Sequence, residues 1–358
     1  MTIAQDRPVD TRTADGAADG AADGVADRAA VRAGTTPKPP RGERRALVLG
    51  GGGVLGFAWM VGALTVLKEE TGWDPRDASH LVGTSAGAVL AATLACGVGV
   101  DNLARHQEGL LVEGDHQIGF RHDVDSGGPL PPAPALRPGS PELLRRTLRS
   151  PRRFPPMVVF FSLMPEGRGE LPAVTREVET IVPTGWAPHP NAWMIALDYE
   201  TGRRIPFGKE DAPPADLKDA VTASCTIPGW FTSVEIGGRR YVDGGVWSPF
   251  SVDLLSREDV DEVLVLGPMA SFHYDQPRDV ATRIERRLRR AATERLLREG
   301  NKVRRNGTPV RFLTPGPEDL EAFGYNLMDP RRRPTVFAVA QRTTRRLLRE
   351  QGIPTLRP

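Results

Sequence analysis

Cysteine is nearly absent from this sequence. Cys96 and Cys225 are the only two in 358 residues, which excludes a disulfide framework and fits a reducing compartment. No run of Cys and His has the spacing of metal ligands, so neither a metal nor another cofactor is expected. An excess of one charge is missing too. Lys and Arg number 47 and Asp and Glu 45, a formal net charge of +2, and nothing in that balance calls for nucleic acid as a partner. The six histidines (His80, His106, His116, His122, His189, His273) are scattered, and none stands in a recognisable catalytic setting.

The N-terminal stretch has no apolar run of the kind a secretory signal needs, because acidic residues interrupt it repeatedly. Its repeated Ala-Asp-Gly units and its Pro-rich end bury nothing, so residues 1–43 are expected to be a disordered tail. The remainder, 44–358, is expected to form one domain around one core. Hydrophobic residues at 39% and charged residues at 26% are ordinary for a chain of that kind.

Two uncharged stretches, 46–67 and 81–100, are long enough to raise the question of membrane spans. Four consecutive glycines at 50–53 break the first as a helix. The second is mostly Ala, Gly and Thr, which partition poorly into lipid. Both are better read as the buried core of an α/β protein. The expected location is the cytoplasm, with at most peripheral contact to a membrane.

The ordered chain alternates short apolar runs with helical periodicities. ALVL suits a buried strand, and after the glycines Phe57, Val61 and Leu64, then Met60, Leu64 and Leu67, recur at helical spacing up to Gly72. A second strand at His80–Val82 leads through a tight turn into an alanine-rich helix. Strand, glycine turn, helix, repeated, predicts a mostly parallel sheet with crossover helices. Residues 119–172 are rich in Pro and Gly and read as an insertion or lid region, with PELLRRTLRS helical within it. Further on, AWMIALDYETGRRIPFG predicts strand, turn, strand. SVEIGGRRYVDGG predicts a hairpin about Gly237-Gly238, and DEVLVLGP and TPVRFLTPGP two more strands. Helices are expected over PADLKDAVTASC, over 278–305 and near the C-terminus.

Gly83-Thr84-Ser85-Ala86-Gly87 matches G-x-S-x-G between a predicted strand and a predicted helix. That context makes it a nucleophile elbow, with Ser85 exposed at the head of the sheet. Gly51-x-Gly53-x-x-Gly56 also fits the dinucleotide fingerprint, but no carboxylate lies between Asp77 and Asp101, where the ribose ligand belongs. Nor does Lys-Ser/Thr follow the last glycine, as a phosphate loop requires. Acyl transfer uses such a loop differently: a tetrahedral oxyanion needs N–H donors about 3 Å away. Gly51, Gly52, Gly53 and Val54, with the N–H of Ala86, are the candidate donors. Asp243, followed by Gly244 and Gly245 at a strand end, is the candidate base, and partial desolvation would raise its basicity. Asp198 and Asp253 compete by their proximity to strands.

With these motifs in this order, the chain resembles the patatin-like phospholipases, in particular the bacterial branch. The resemblance rests on Gly51–Gly56, Gly83–Gly87 and Asp243-Gly244-Gly245, and on ALDYETG and ASCTIPGWFTSVEIGGRRYVDGGVWSP between serine and aspartate. It spans about residues 44 to 350. It implies a three-layer α/β/α fold and a Ser85–Asp243 dyad without histidine, metal or cofactor. It also implies hydrolysis of fatty acyl esters of phospholipids, lysophospholipids or related lipids through an acyl-serine. Many members carry Arg or Lys in the glycine-rich loop. Here Val54-Leu55 stand there, which leaves the backbone donors and no charged one. The alternative is a catalytically weak lipid- or partner-binding module on the same fold.

Two segments bear on access to a lipid substrate. Pro155–Met164 is either an apolar lid or interface segment or a core strand. The 278–305 helix carries Arg283, Arg286, Arg287, Arg289, Arg290, Arg295 and Arg298 beside an apolar face. It reads as a solvated helix covering the sheet, with docking on anionic lipid as the other reading.

Overall fold

The computed structural model describes residues 44–110, 112–116, 133–135 and 137–350. The expected tail 1–43 and residues 119–132 of the Pro/Gly-rich region lie outside the described residues. Every strand among those described belongs to one sheet. The strands are β1 (Arg45–Leu49), β2 (His80–Thr84), β3 (Ala192–Asp198), β4 (Arg204–Phe207), β5 (Val234–Ile236), β6 (Arg239–Asp243), β7 (Glu262–Leu266) and β8 (Val310–Leu313). Hydrogen bonds link them along the path β5-β6-β3-β2-β1-β7-β8, with β4 also on β3. Pairing is parallel from β3 through β2, β1 and β7 to β8, and antiparallel for β4, β5 and β6.

Successive strand residues point to opposite faces, and the two faces are covered by different helices. Leu47, Leu49, Leu81, Met194 and Leu266 pack on one side. They meet α1 (Gly53–Thr71), α2 (Ala86–Ala95), α3 (Val100–Glu108), α6 (Pro172–Ile181), α7 (Leu217–Cys225), α9 (Pro317–Phe323) and α10 (Arg333–Glu350). Ala46, Val48, Val82, Ile195 and Val265 pack on the other, against α8 (Val280–Arg304) and the turn segment Val252–Arg257. The same face of β3 and β6 continues through Leu197 and Val242 to a helical hairpin, α4 (Pro141–Arg149) and α5 (Pro156–Ser162). This is the three-layer α/β/α arrangement, with both faces buried as parallel strands require.

The stretch 46–67 is thus divided between β1, the glycines and α1, and no helix among the described residues is long and apolar enough to cross a membrane. α1 lacks a polar face because it lies between the sheet and α10. Gly62 marks the closest approach, where an added Cβ would stand 2.7 Å from the Phe337 carbonyl oxygen. Burying Leu55, Met60 and Leu64 contributes about 1.5–3 kcal/mol each. A buried polar clasp adds direction: Trp59 Nε1 and Thr343 Oγ1 both donate to Asp319 Oδ1, at 3.0 and 2.8 Å.

Three sequence expectations change. β2 runs to Thr84, two residues beyond its expected end. MVVFFSLM is not a strand: Pro156 occupies the first turn of α5, where a missing N–H costs nothing, and Val158 and Ser162 face inward. The arginine-rich helix is not solvated along its whole length. Arg289 is buried and paired with Glu285, and Arg295 with Glu299.

Candidate active site

β4 occupies one edge of β3, because Met194 to Leu197 pair with Phe207 to Arg204. The other edge is shared. β2 runs up it until Thr84 pairs with Ile195, and β6 runs down it until Asp243 pairs with Ala196. The two strands therefore stop head to head, and the residues at their tips, Ser85 and Asp243, are brought together.

Ser85 takes φ 54° and ψ −125°, a positive-φ conformation that costs a non-glycine residue on the order of 1–3 kcal/mol. The surrounding contacts hold it there. Its N–H donates to Ser224 Oγ at 2.9 Å, and that hydroxyl donates to the Ile195 carbonyl at 2.7 Å, so Ser224 bridges the point where the β2–β3 ladder ends. The Ser85 carbonyl accepts from Ala88 N–H at 2.7 Å and begins α2. The elbow needs small residues on either side. A Cβ at Gly87 would stand 1.9 Å from the Leu49 carbonyl oxygen, and one at Gly83 2.3 Å from that of Gly87.

Asp243 is 5% exposed. Its Oδ1 accepts from the Gly245 N–H at 2.7 Å, and the neighbouring Ser85 hydroxyl also favours its charged form. Burial outweighs both influences and pushes its pKa up to about 7. Gly244 lies against β3, where a Cβ would be 2.4 Å from the Ile195 carbonyl oxygen. The competing carboxylates are engaged elsewhere. Asp198 accepts from the Glu200 and Thr201 N–H groups and pairs with Arg239. Asp253 is bound by both terminal nitrogens of Arg204, at 2.6 and 2.9 Å. Among the described residues no histidine hydrogen-bonds to Ser85 or Asp243. His80 opens β2, at the far end of the strand from Ser85, and His189 binds the Ala78 carbonyl. No group of three or more His, Cys, Asp or Glu side chains converges as a metal site among the described residues.

The glycine-rich loop passes beside the serine: a Cβ at Gly51 would lie 3.4 Å from Ser85 Cβ. Its first two N–H groups are engaged, Gly50 with the Leu266 carbonyl and Gly51 with that of Pro249, so Gly51 differs from the expected donor. Gly52 caps α1, and Gly53 opens it at φ 61°, a conformation that favours glycine. Gly56 is already inside the helix and packs on Pro268. The Leu55 N–H is taken by the Leu327 carbonyl at 3.0 Å. Among the described residues the N–H groups of Gly52, Gly53, Val54 and Ala86 have no backbone acceptor. Two helix N-termini, with their partial positive charge, thus open beside one serine.

Sequence reasoning missed Ser224, Leu327 and Met328. Ser224 sits in the last turn of α7, and nothing local marks it. Leu327 and Met328 reach the glycine loop from the far side of the chain, Met328 Sδ standing 2.6 Å from where a Gly53 Cβ would be. In the sequence Arg289 is one arginine among several on a basic helix. Buried, it donates to the Pro268 carbonyl at 2.5 Å and so fixes the residue that underlies Gly52 and Gly56.

A serine strained between strand and helix, at the head of a doubly covered sheet, is the arrangement of the α/β acyl hydrolases. The family model of the patatin-like phospholipases matches residues 47–256, from β1 to beyond Asp243, and the chain belongs to that family. The family's activity is lipid acyl hydrolysis. No curated protein matches the chain. Among solved structures, the crystal structure of VipD from Legionella pneumophila is similar over 86% of this chain and 67% of that one, with 14% identity and a TM-score of 0.41.

Proposed function

We propose that residues 44–350 are a lipid acyl hydrolase domain in which Ser85 is the nucleophile and Asp243 its general base, acting on fatty acyl esters of phospholipids, lysophospholipids or related lipids. The observation that carries this reading is the meeting, at two strand tips that share an edge of β3, of a strained serine with a buried carboxylate.

Ser85 Oγ attacks the ester carbonyl as Asp243 takes its proton. A carboxylate with an ordinary pKa is a poor acceptor for a hydroxyl proton; one raised to about 7 is better matched to the task. The carbonyl oxygen becomes an oxyanion beside the N–H groups of Gly52, Gly53, Val54 and Ala86, which need no reorganisation to receive it. On collapse the C–O bond to the alcohol breaks, and Asp243 returns its proton to that leaving oxygen. Water then attacks the acyl-serine, Asp243 accepts a proton from it, and the second collapse releases the fatty acid and restores the Ser85 hydroxyl. The residues already present complete the cycle without an external cofactor.

The test is release of free fatty acid from phospholipid in detergent micelles. The intact protein is expected to release it, Ser85→Ala to lose activity by at least about 10⁴-fold, and Asp243→Asn by a comparable factor. Full turnover by Ser85→Ala would overturn the assignment.

A further inference from the structure

The hairpin of α4 and α5 has an inner and an outer side of opposite character. Inside, Leu143, Thr147, Val158 and Ser162 are buried, and Thr147 Oγ1 meets Ser162 Oγ at 2.9 Å between the helices. Outside, Leu148 is 68% exposed, Phe160 50% and Leu163 58%. Leu148 and Leu163 each directly follow one member of that Thr–Ser contact, so the two apolar side chains project from neighbouring positions. Between the helices Pro151–Arg153 forms a single turn, exposed throughout.

The charge of this segment is one-sided. Residues 141–164 hold five arginines and one glutamate, while the whole chain carries only +2. Glu142 is already occupied by Arg145 and Arg146. Arg149, Arg152 and Arg153 are exposed and have no carboxylate partner among the described residues. Exposed arginines with no carboxylate partner among the described residues, beside three exposed large apolar side chains, complement a surface that is anionic outside and apolar just beneath.

The hairpin is also joined to the site. Phe161 of α5 packs against the same buried cluster as Trp247, a cluster that includes Val246, and Val246 and Trp247 follow Asp243-Gly244-Gly245 directly in the chain. Met164 lies against Gly229, in the loop whose Thr226 carbonyl accepts the Asp243 N–H. We propose that the outer side of this hairpin docks the protein on an anionic phospholipid bilayer, with Phe160, Leu148 and Leu163 entering the interface and Arg149, Arg152 and Arg153 meeting the headgroups. The purpose of docking rests on the acyl-hydrolase reading, since it presents the Asp243 side of the site to a lipid surface. The contact itself does not, and it is measured on full-length Ser85→Ala protein.

The experiment is flotation of that protein with vesicles of phosphatidylcholine alone or with about a third phosphatidylglycerol. Binding is expected to be at least about 10-fold stronger on the anionic vesicles and to weaken in high salt. Phe160→Asp with Leu163→Asp, and separately Arg152→Gln with Arg153→Gln, are each expected to lower it by about 10-fold or more, with the arginine pair retaining the parental melting temperature because neither side chain is packed. Equal binding to both vesicles, no binding to either, or loss only with Ile284→Asp and Leu288→Asp on α8 would overturn the proposal. A catalytically dead protein that still floats separates failure of the activity from failure of the docking.

Discussion

Ser85 and Asp243 stand at the tips of two strands that run toward each other along one edge of β3, Thr84 paired with Ile195 and Asp243 with Ala196. The sheet itself, rather than a flexible loop, sets the distance between them. A carboxylate placed this way lies at the end of a buried strand, and the same burial raises its proton affinity.

The activity is therefore expected to rise with pH and to reach half its plateau near pH 7, where Asp243 loses its proton. The kcat/KM of a water-soluble acyl ester measured from pH 5 to 9 checks this. A flat profile across that range would be inconsistent with Asp243 as the base.

Stability should move the opposite way. In the unfolded chain Asp243 ionises near 3.8, and in the folded protein near 7. Between those values the unfolded state has given up a proton that the folded state keeps, so Asp243 costs stability as pH rises from about 4 to about 7 and the cost is constant above. Asn does not titrate and can still accept the Gly245 N–H. Asp243→Asn is expected to be inactive yet more stable than the parent at pH 8 by a few kcal/mol, the difference closing near pH 4. Thermal melts at the two pH values read it directly.

Ser224→Ala removes the acceptor of the Ser85 N–H and the donor to the Ile195 carbonyl. The loss should destabilise the protein by about 1–3 kcal/mol, since the Ile195 carbonyl is buried and the Ser85 N–H partly so. It should also lower kcat more than it raises KM, because Ser224 is buried and holds the backbone of the proposed nucleophile. Denaturant melts and steady-state kinetics separate the two effects.

Gly53→Ala puts a Cβ on a φ of 61° and 2.6 Å from Met328 Sδ. The strain costs roughly 1–2 kcal/mol, and the displaced N–H groups of the first α1 turn should reduce kcat by about 100-fold. Gly53→Ala combined with Met328→Ala relieves the contact and not the dihedral, so stability should recover in part and kcat little.

The local parts of this site were legible in the sequence because each is a chain signal: glycines between strand and helix, a serine flanked by small residues, an aspartate before two glycines. Their meeting was not, since it depends on β2 and β6 sharing an edge of β3 from opposite directions, a relation between segments far apart in the chain. Ser224 escaped for the same reason, as a serine in a helix's last turn looks alike whether it caps nothing or braces the backbone of Ser85. The run MVVFFSLM misled by composition. Valine and phenylalanine suggest a strand, but Pro155-Pro156 ahead of them is a helix start, as Pro141 and Pro172 are for α4 and α6. Gly51 shows the limit of reading donors from glycines: its N–H faced Pro249, and only tertiary structure tells which N–H groups stay open.

The most direct test of the dyad is covalent. The full-length protein is treated with a fluorophosphonate at pH 8 and the adduct is located by peptide mass. One adduct on Ser85, absent in Ser85→Ala and strongly slowed in Asp243→Asn, is the predicted result. A folded protein that leaves Ser85 unlabelled, or labels it equally fast without the Asp243 carboxylate, would contradict it.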